Sequence, residues 1–196
     1  MQVYGKLRLI SVAVVGYSTN PVDTYYFCLV CFALMFGFCG DILLGIKEIA
    51  PTFRGKLVPL GLLYFLVGHI FYLCAFIRSS SFSFVALAVG IVFGIGAFIA
   101  IKALKMKADS KMRVIMSVYY AVLAFKAASA LNLALSAGQA AYWSAFAGAV
   151  LFIFSDTCLG FLYFTPVKKK NVFVTAELST YYAAQILLAM SVALLE

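Results

Sequence analysis

Charge is scarce in this chain. Of its 196 residues only 11% are Asp, Glu, Lys or Arg, while 65% are hydrophobic. A soluble domain carries roughly a quarter charged residues and about half apolar ones, so this chain has too little polar surface to coat a water-facing core. Histidine occurs once, at His69, which excludes a zinc centre built from three histidines. Cys28, Cys31, Cys39, Cys74 and Cys158 are odd in number and all fall in apolar runs, so they do not read as a disulfide framework. Cys28 and Cys31 have the spacing of a redox or metal pair, but no second pair accompanies them, and small apolar packing is the role that remains. The chain has no Gly-rich phosphate loop, low-complexity tract, soluble repeat or prenylation ending. The Lys6–Tyr17 stretch lacks the cleavage site of a secretory signal.

What fills the chain instead is apolar sequence in blocks of about 20 residues, the length a membrane span requires. Seven such segments run over Tyr4–Ser18, Tyr25–Ile46, Leu57–Ile77, Phe82–Leu104, Met112–Ser136, Ala141–Phe164 and Val172–Leu195. The first is short and carries Lys6 and Arg8 near its start. The connections are brief and hold turn formers such as Thr19-Asn20-Pro21 and Thr165-Pro166. The expected fold is a single all-α transmembrane domain over residues 1–196, a seven-helix polytopic bundle.

The net charge of +8 belongs to topology rather than to a nucleic-acid partner. With seven spans, Lys6 and Arg8, the Lys47–Lys56 loop, the Lys102–Arg113 loop and Lys168–Lys170 all lie on one face. Arg78 is alone on the other, and Lys126 lies within a span. By the positive-inside rule the N-terminus is cytoplasmic and the C-terminus lies on the far side. The basic rim also suits anionic membrane lipids. In a eukaryotic cell the endoplasmic reticulum is the default membrane.

Against this apolar background Asp41, His69, Lys126, Asp156 and Glu177 stand inside or at the edge of spans. A lone charge at a helix centre costs at least ~2.5–3.5 kcal/mol in hydrocarbon, so such residues face partners or a water-filled cavity. Gly37, Asp41 and Gly45 share one face of the second span, and Gly148, Phe152, Asp156 and Gly160 share one face of the sixth. Their small residues let neighbouring helices approach. On the third span Leu62, Phe65, His69, Tyr72 and Phe76 share a face, and both an interhelical hydrogen bond and an acid–base role are open to His69. Lys126 shares its face with Tyr119, Val122, Ser129 and Ala130, and needs a carboxylate or an anion beside it. Glu177, Tyr181, Ala184 and Gln185 line up on the seventh span, where Glu177 also suits the helix N-terminus. Helix rise puts the three acids in the cytoplasmic half and His69 and Lys126 near the midplane, which predicts a polar cavity open toward the cytoplasmic leaflet.

Four motifs occur in order: Gly40-Asp41 followed by Leu43-Leu44; Gly68-His69 with Tyr72 and Phe76; Leu151-Phe152-Ile153 then Ser155-Asp156; and Thr180-Tyr181-Tyr182-Ala183-Ala184-Gln185. Together they resemble the YhhN family of membrane proteins, whose animal members include lysoplasmalogenases, and the last motif is most similar to that animal branch. The resemblance covers about Lys6 to Leu195. Family members usually have eight predicted spans, and the Lys6–Val15 segment resembles their second, so the usual first helix is not expected here.

The resemblance implies hydrolysis of the 1-alkenyl ether bond of a lysophospholipid, giving a fatty aldehyde and glycerophospho-ethanolamine or -choline, without a cofactor or metal. A vinyl ether resists nucleophiles but opens once an acid protonates its β-carbon; the oxocarbenium ion then needs a negative charge nearby and a water. Two carboxylates in different surroundings can divide these tasks. On that reading Asp156 is the acid and Asp41 the stabilising anion, an assignment that the sequence leaves reversible. Tyr72, Tyr181 and Gln185 are candidates to orient the carboxylates or the glycerol hydroxyl, and His69 and Lys126 candidates for the phosphate. The residues alone fit a rival equally well, a lipid or proton-coupled transporter using the same carboxylates. A structural role with all charges paired fits less well, because acids outnumber bases.

Overall fold

A computed structural model describes residues 2–19 and 23–195, and every described regular element is helical. The Asn20-Pro21 turn and the side chains of Lys6, Arg8, Lys47 and Arg54 lie outside the described residues. The helices are α1 (Gln2–Thr19), α2 (Thr24–Ile49), α3 (Arg54–Ser79), α4 (Phe84–Ala103), α5 (Ser110–Ala137), α6 (Ala140–Phe164) and α7 (Lys170–Ala193), with a single 3₁₀ turn at Pro51–Phe53 before α3. Six of them, α2 to α7, are long and apolar enough to cross a membrane, whereas α1 contributes the shorter apolar stretch Ile10–Thr19. The chain is thus a polytopic helical bundle.

The helix ends follow from local chemistry. The Asp23 carboxylate accepts from the backbone N–H groups of Tyr25 and Tyr26, both at 3.0 Å, and so starts α2. Ser83 caps α4 through the Ala86 N–H, which moves its start two residues past the apolar edge at Phe82. Asp109 caps α5 through the Met112 N–H at 2.7 Å, drawing Ser110 and Lys111 into the helix. These side chains satisfy donors that a helix N-terminus leaves open. At the other end of α5, Gly138 takes a left-handed φ of +70° and returns its N–H to the Ala134 carbonyl, the conformation for which glycine carries no Cβ penalty.

Helices α1, α2, α3, α5, α6 and α7 close into a ring in which each packs on the next and α7 returns to α1; α2 also touches α7. Among the described residues α4 packs on α5 alone. Its outer face is apolar, with Phe84, Val85, Val92 and Ile99 between 60% and 79% exposed, a surface that needs lipid around it. Hydroxyl contacts fix the ring: the buried Tyr26 Oη lies 2.8 Å from Ser191 Oγ between α2 and α7, and the half-buried Ser144 donates to the Leu187 carbonyl at 2.8 Å between α6 and α7.

Gly148 shows how closely α6 and α7 meet. A Cβ there would lie 2.9 Å from the Ala184 carbonyl oxygen and 3.0 Å from Leu188 Cγ. Because backbone cannot give way as a side chain tip does, Gly148→Val should destabilise the bundle by about 1–3 kcal/mol, read as a lowered thermal midpoint in detergent.

Candidate functional site

The motifs around Asp41 and His69 each begin with a glycine, and packing explains why. A Cβ on Gly40 would lie 2.8 Å from the Phe65 ring of α3, and one on Gly68 would lie 2.9 Å from the Ala33 carbonyl of α2. Their absence lets α2 and α3 lie together, which places Asp41 and His69 at the inner side of the ring.

Between α2, α3, α6 and α7 lies a chamber of about 400 Å³. Its walls include Asp41, Phe65, Asp156, Lys170, Glu177 and Tyr181. Asp41 is eight residues from the end of α2 and Asp156 eight from the end of α6, which puts both about 12 Å in from the lysine-rich end of the bundle. The chamber therefore brings together the two candidate catalytic carboxylates, from helices far apart in sequence, with one candidate substrate-binding residue, Tyr181.

The two carboxylates have different surroundings. Asp41 is half-buried, and the Tyr181 hydroxyl sits across it at 2.8 Å from Oδ1 and 2.9 Å from Oδ2. Asp156 is buried, 8% exposed, and stands at the end of a hydrogen-bonded chain. The Tyr119 hydroxyl donates to Asp156 Oδ2 at 2.5 Å. Having given its one proton there, Tyr119 accepts from His69 Nε2 at 3.1 Å. His69 Nδ1 then accepts from Lys126 Nζ, also at 3.1 Å. Every hydrogen in this chain points toward Asp156. His69 Nε2 itself lies 3.8 Å from Asp156 Oδ2.

His69 and Lys126 are thus joined to the chamber through Asp156 rather than lining it. Both are buried, Lys126 completely. An aromatic wall stands beside them: the Phe152 ring meets His69 edge-on at 4.6 Å and Tyr181 at 5.3 Å between centroids. Lys126 Nζ lies 4.7 Å from the centre of the Phe152 ring and 5.6 Å from that of Tyr72, within range of a cation–π attraction. Tyr72 is buried against Phe76 and lies with Lys126, away from the chamber walls. Gln185, one turn beyond Tyr181 on α7, is also buried and does not line the chamber. Among the described residues the basic group on the chamber wall is Lys170.

Sequence reasoning did not single out Tyr119, although this residue links Asp156 to His69. Its signal was its place two helical turns before Lys126 on one face of α5. Lys170 was counted only as part of the basic rim. Ser155, in the Ser155-Asp156 pair, donates to the Glu177 carbonyl at 3.1 Å and fastens α6 to α7 beside the site. Among the described residues no group of three or more His, Cys, Asp or Glu is placed to hold a metal ion.

No solved structure matches the chain. The sequence pattern that defines the YhhN family matches residues 4–192, which takes in all four motifs and every residue of the chamber and of the chain behind it, and the protein is a member of the YhhN family.

Proposed function

We propose that the protein is a lysoplasmalogenase-type hydrolase that cleaves the vinyl ether of a 1-alkenyl lysophospholipid within the chamber. The observation that carries this reading is the convergence of Asp41 and Asp156 on one cavity of about 400 Å³, within the range of about 300–1,000 Å³ typical of small-molecule sites. Protonation of the alkenyl β-carbon creates an oxocarbenium ion, and paired carboxylates are what enzymes use when such an ion must be made and then hydrated. One supplies the proton; the other, ionised, holds the cation and takes the proton of the attacking water. The similarity of the Thr180–Gln185 motif to animal members of the family supports the same chemistry.

The chamber also suits a zwitterionic head. Lys170 and Glu177 lie on its walls at the lysine-rich end, where Lys170 can meet a phosphate and Glu177 an ammonium. A lipid entering from that leaflet keeps its tail in the bilayer while its ether bond reaches the carboxylates. A cytoplasm-facing chamber in an internal membrane such as the endoplasmic reticulum is part of this reading.

The test is aldehyde release by purified protein from a 1-alkenyl lysophospholipid, with the matching saturated 1-alkyl ether as control. Aldehyde is expected from the vinyl ether alone. A well-folded sample that releases none would refute the hydrolase reading and favour transport through the same carboxylates.

A further inference from the structure

Lys126, His69 and Tyr119 are buried groups that the two-carboxylate reaction leaves unused, and they form one hydrogen-bonded chain with Asp156. Its links run 3.1 Å from Lys126 Nζ to His69 Nδ1, 3.1 Å from His69 Nε2 to the Tyr119 hydroxyl and 2.5 Å from that hydroxyl to Asp156 Oδ2. Exposure is 0% at Lys126 and 8% at Asp156, so the chain is closed at the amine and meets the chamber at the carboxylate. A buried ammonium is costly unless an anion offsets it. Here the amine meets an imidazole and two aromatic faces, and the carboxylate that balances it stands two side chains away.

The same three contacts are satisfied with every hydrogen reversed. The Asp156 carboxylic acid then donates to the Tyr119 oxygen, Tyr119 donates to His69 Nε2, and His69 Nδ1–H donates to a neutral Lys126 amine. The two arrangements have the same total charge and differ by the passage of one proton. Lys126 gives a proton to Nδ1, Nε2 gives its own to the Tyr119 oxygen, and the Tyr119 proton passes to Asp156. An imidazole suits the middle of such a path because it takes a proton on one nitrogen and releases one from the other. We infer that these four residues are a proton relay, which holds a proton on Lys126 while water fills the chamber and delivers it to Asp156 when a lipid fills it.

The chamber decides the direction because Asp156 is on its wall. Water there solvates the carboxylate; a lipid displaces that water, and two charges separated across an apolar interior then lie above the neutral chain. Asp41 and Glu177 on the same walls repel a further negative charge, while Lys170 attracts one until a phosphate claims it. The transfer rests on this geometry, and its use as the source of acid rests on the proposed hydrolysis. There Asp156 gives its proton to the β-carbon, whose C=C electron pair forms the new C–H bond and leaves the oxocarbenium ion. Water adds to the ether-bearing carbon as its proton passes to Asp41. When the hemiacetal C–O bond to glycerol breaks, Asp41 returns that proton to the glycerol oxygen and the hemiacetal hydroxyl proton goes to Asp156. Both carboxylates regain their starting states, and the relay runs back to Lys126 as water re-enters. Tyr119, His69 and Lys126 are thus positioning residues for a proton that only Asp156 hands to substrate.

The experiment records infrared difference spectra of the full chain as a 1-alkyl ether lysophospholipid binds. That lipid is not cleaved and has no carbonyl, and with a detergent that also lacks one the C=O stretch of a protonated carboxyl stands clear. The band should appear when the lipid binds wild type and be missing from Asp156→Asn. It should also fail to appear on binding to Lys126→Met or Tyr119→Phe, although both keep Asp156 and bind the lipid. With the vinyl ether, Tyr119→Phe should lower kcat by about 10²-fold, the low end of what a positioned proton donor contributes, with KM within about twofold. A wild-type protein that binds the lipid without the band would overturn the relay. So would a full band in lipid-bound Lys126→Met or Tyr119→Phe, or a Tyr119→Phe enzyme at full rate. A wild-type band without aldehyde from any vinyl ether would keep the relay and remove the hydrolase reading, so the two fail separately.

Discussion

Asp156→Asn is expected to reduce aldehyde release by about 10²–10⁴-fold, the range a positioned acid–base group contributes, with lipid binding retained. Asparagine keeps the shape of the carboxylate and can still accept from Tyr119, whose hydroxyl is 2.5 Å away. On the proposed reaction it can neither carry a negative charge nor exchange a proton, so it fills neither of the two roles open to a carboxylate there. Asp41→Asn should fall in the same range because the proposed reaction needs both carboxylates, and for that reason the two losses should not multiply in the double variant. The check is single-turnover aldehyde release alongside equilibrium binding of the uncleavable 1-alkyl ether. Loss of binding and rate together in Asp156→Asn would point to a collapsed chamber rather than to missing chemistry.

The second large effect concerns stability. His69→Leu should destabilise the protein by about 2–5 kcal/mol, because it leaves two buried groups, the Lys126 amine and the Tyr119 hydroxyl, short of a hydrogen-bond partner at ~1–3 kcal/mol each. Lys126 is fully buried, and its nitrogen meets His69 Nδ1 at 3.1 Å; a leucine offers it nothing. Tyr119 loses a donor at the same stroke. Lys126→Met should cost less, about 1–3 kcal/mol, because it leaves only the His69 nitrogen unsatisfied while methionine fills the space between Phe152 and Tyr72. The double variant should then be more stable than the sum of the singles implies, with a coupling of about 0.5–3 kcal/mol. Reversible unfolding in mixed micelles measures all three. Strict additivity would mean that the two side chains do not act as a pair.

Much of this architecture is legible in the sequence because a bilayer leaves few choices. Each apolar block must be a helix that satisfies its own backbone, and the short polar connections must turn. The capping residues Asp23, Ser83 and Asp109 refine the ends by one or two positions. The row Gly148, Phe152, Asp156, Gly160 shows both the strength and the limit of periodicity. Its spacing puts the four on one side of α6, but each meets something different: Gly148 meets α7, Phe152 meets His69 and Tyr181, Asp156 faces the chamber, and Gly160 turns toward Tyr120. Periodicity assigns a face to a residue and says nothing of which helix stands opposite. That is why Tyr119 passed as an ordinary neighbour of Lys126, and why Lys126 could be imagined reaching a phosphate. Its depth follows from counting residues along α5, whereas its partner depends on α3 crossing α5 at His69, a tertiary fact.

The two carboxylates also differ in when they acquire their tyrosines. Tyr119 precedes Asp156 by 37 residues and Tyr181 follows Asp41 by 140. As the chain emerges from the ribosome, α6 therefore enters the membrane after the hydroxyl that will serve Asp156 is already there. Asp41 must wait for nearly the whole remaining chain, and at about 5–20 residues per second those 140 residues take roughly 7–28 s to synthesise. Throughout that interval the second helix holds a carboxylate whose tyrosine has not yet been translated. Its position about 12 Å from the helix end keeps that acid within reach of the water and headgroups at the surface. A truncation that stops before α7 should therefore still insert α2, with Asp41 at the interface, while α5 and α6 already fit together.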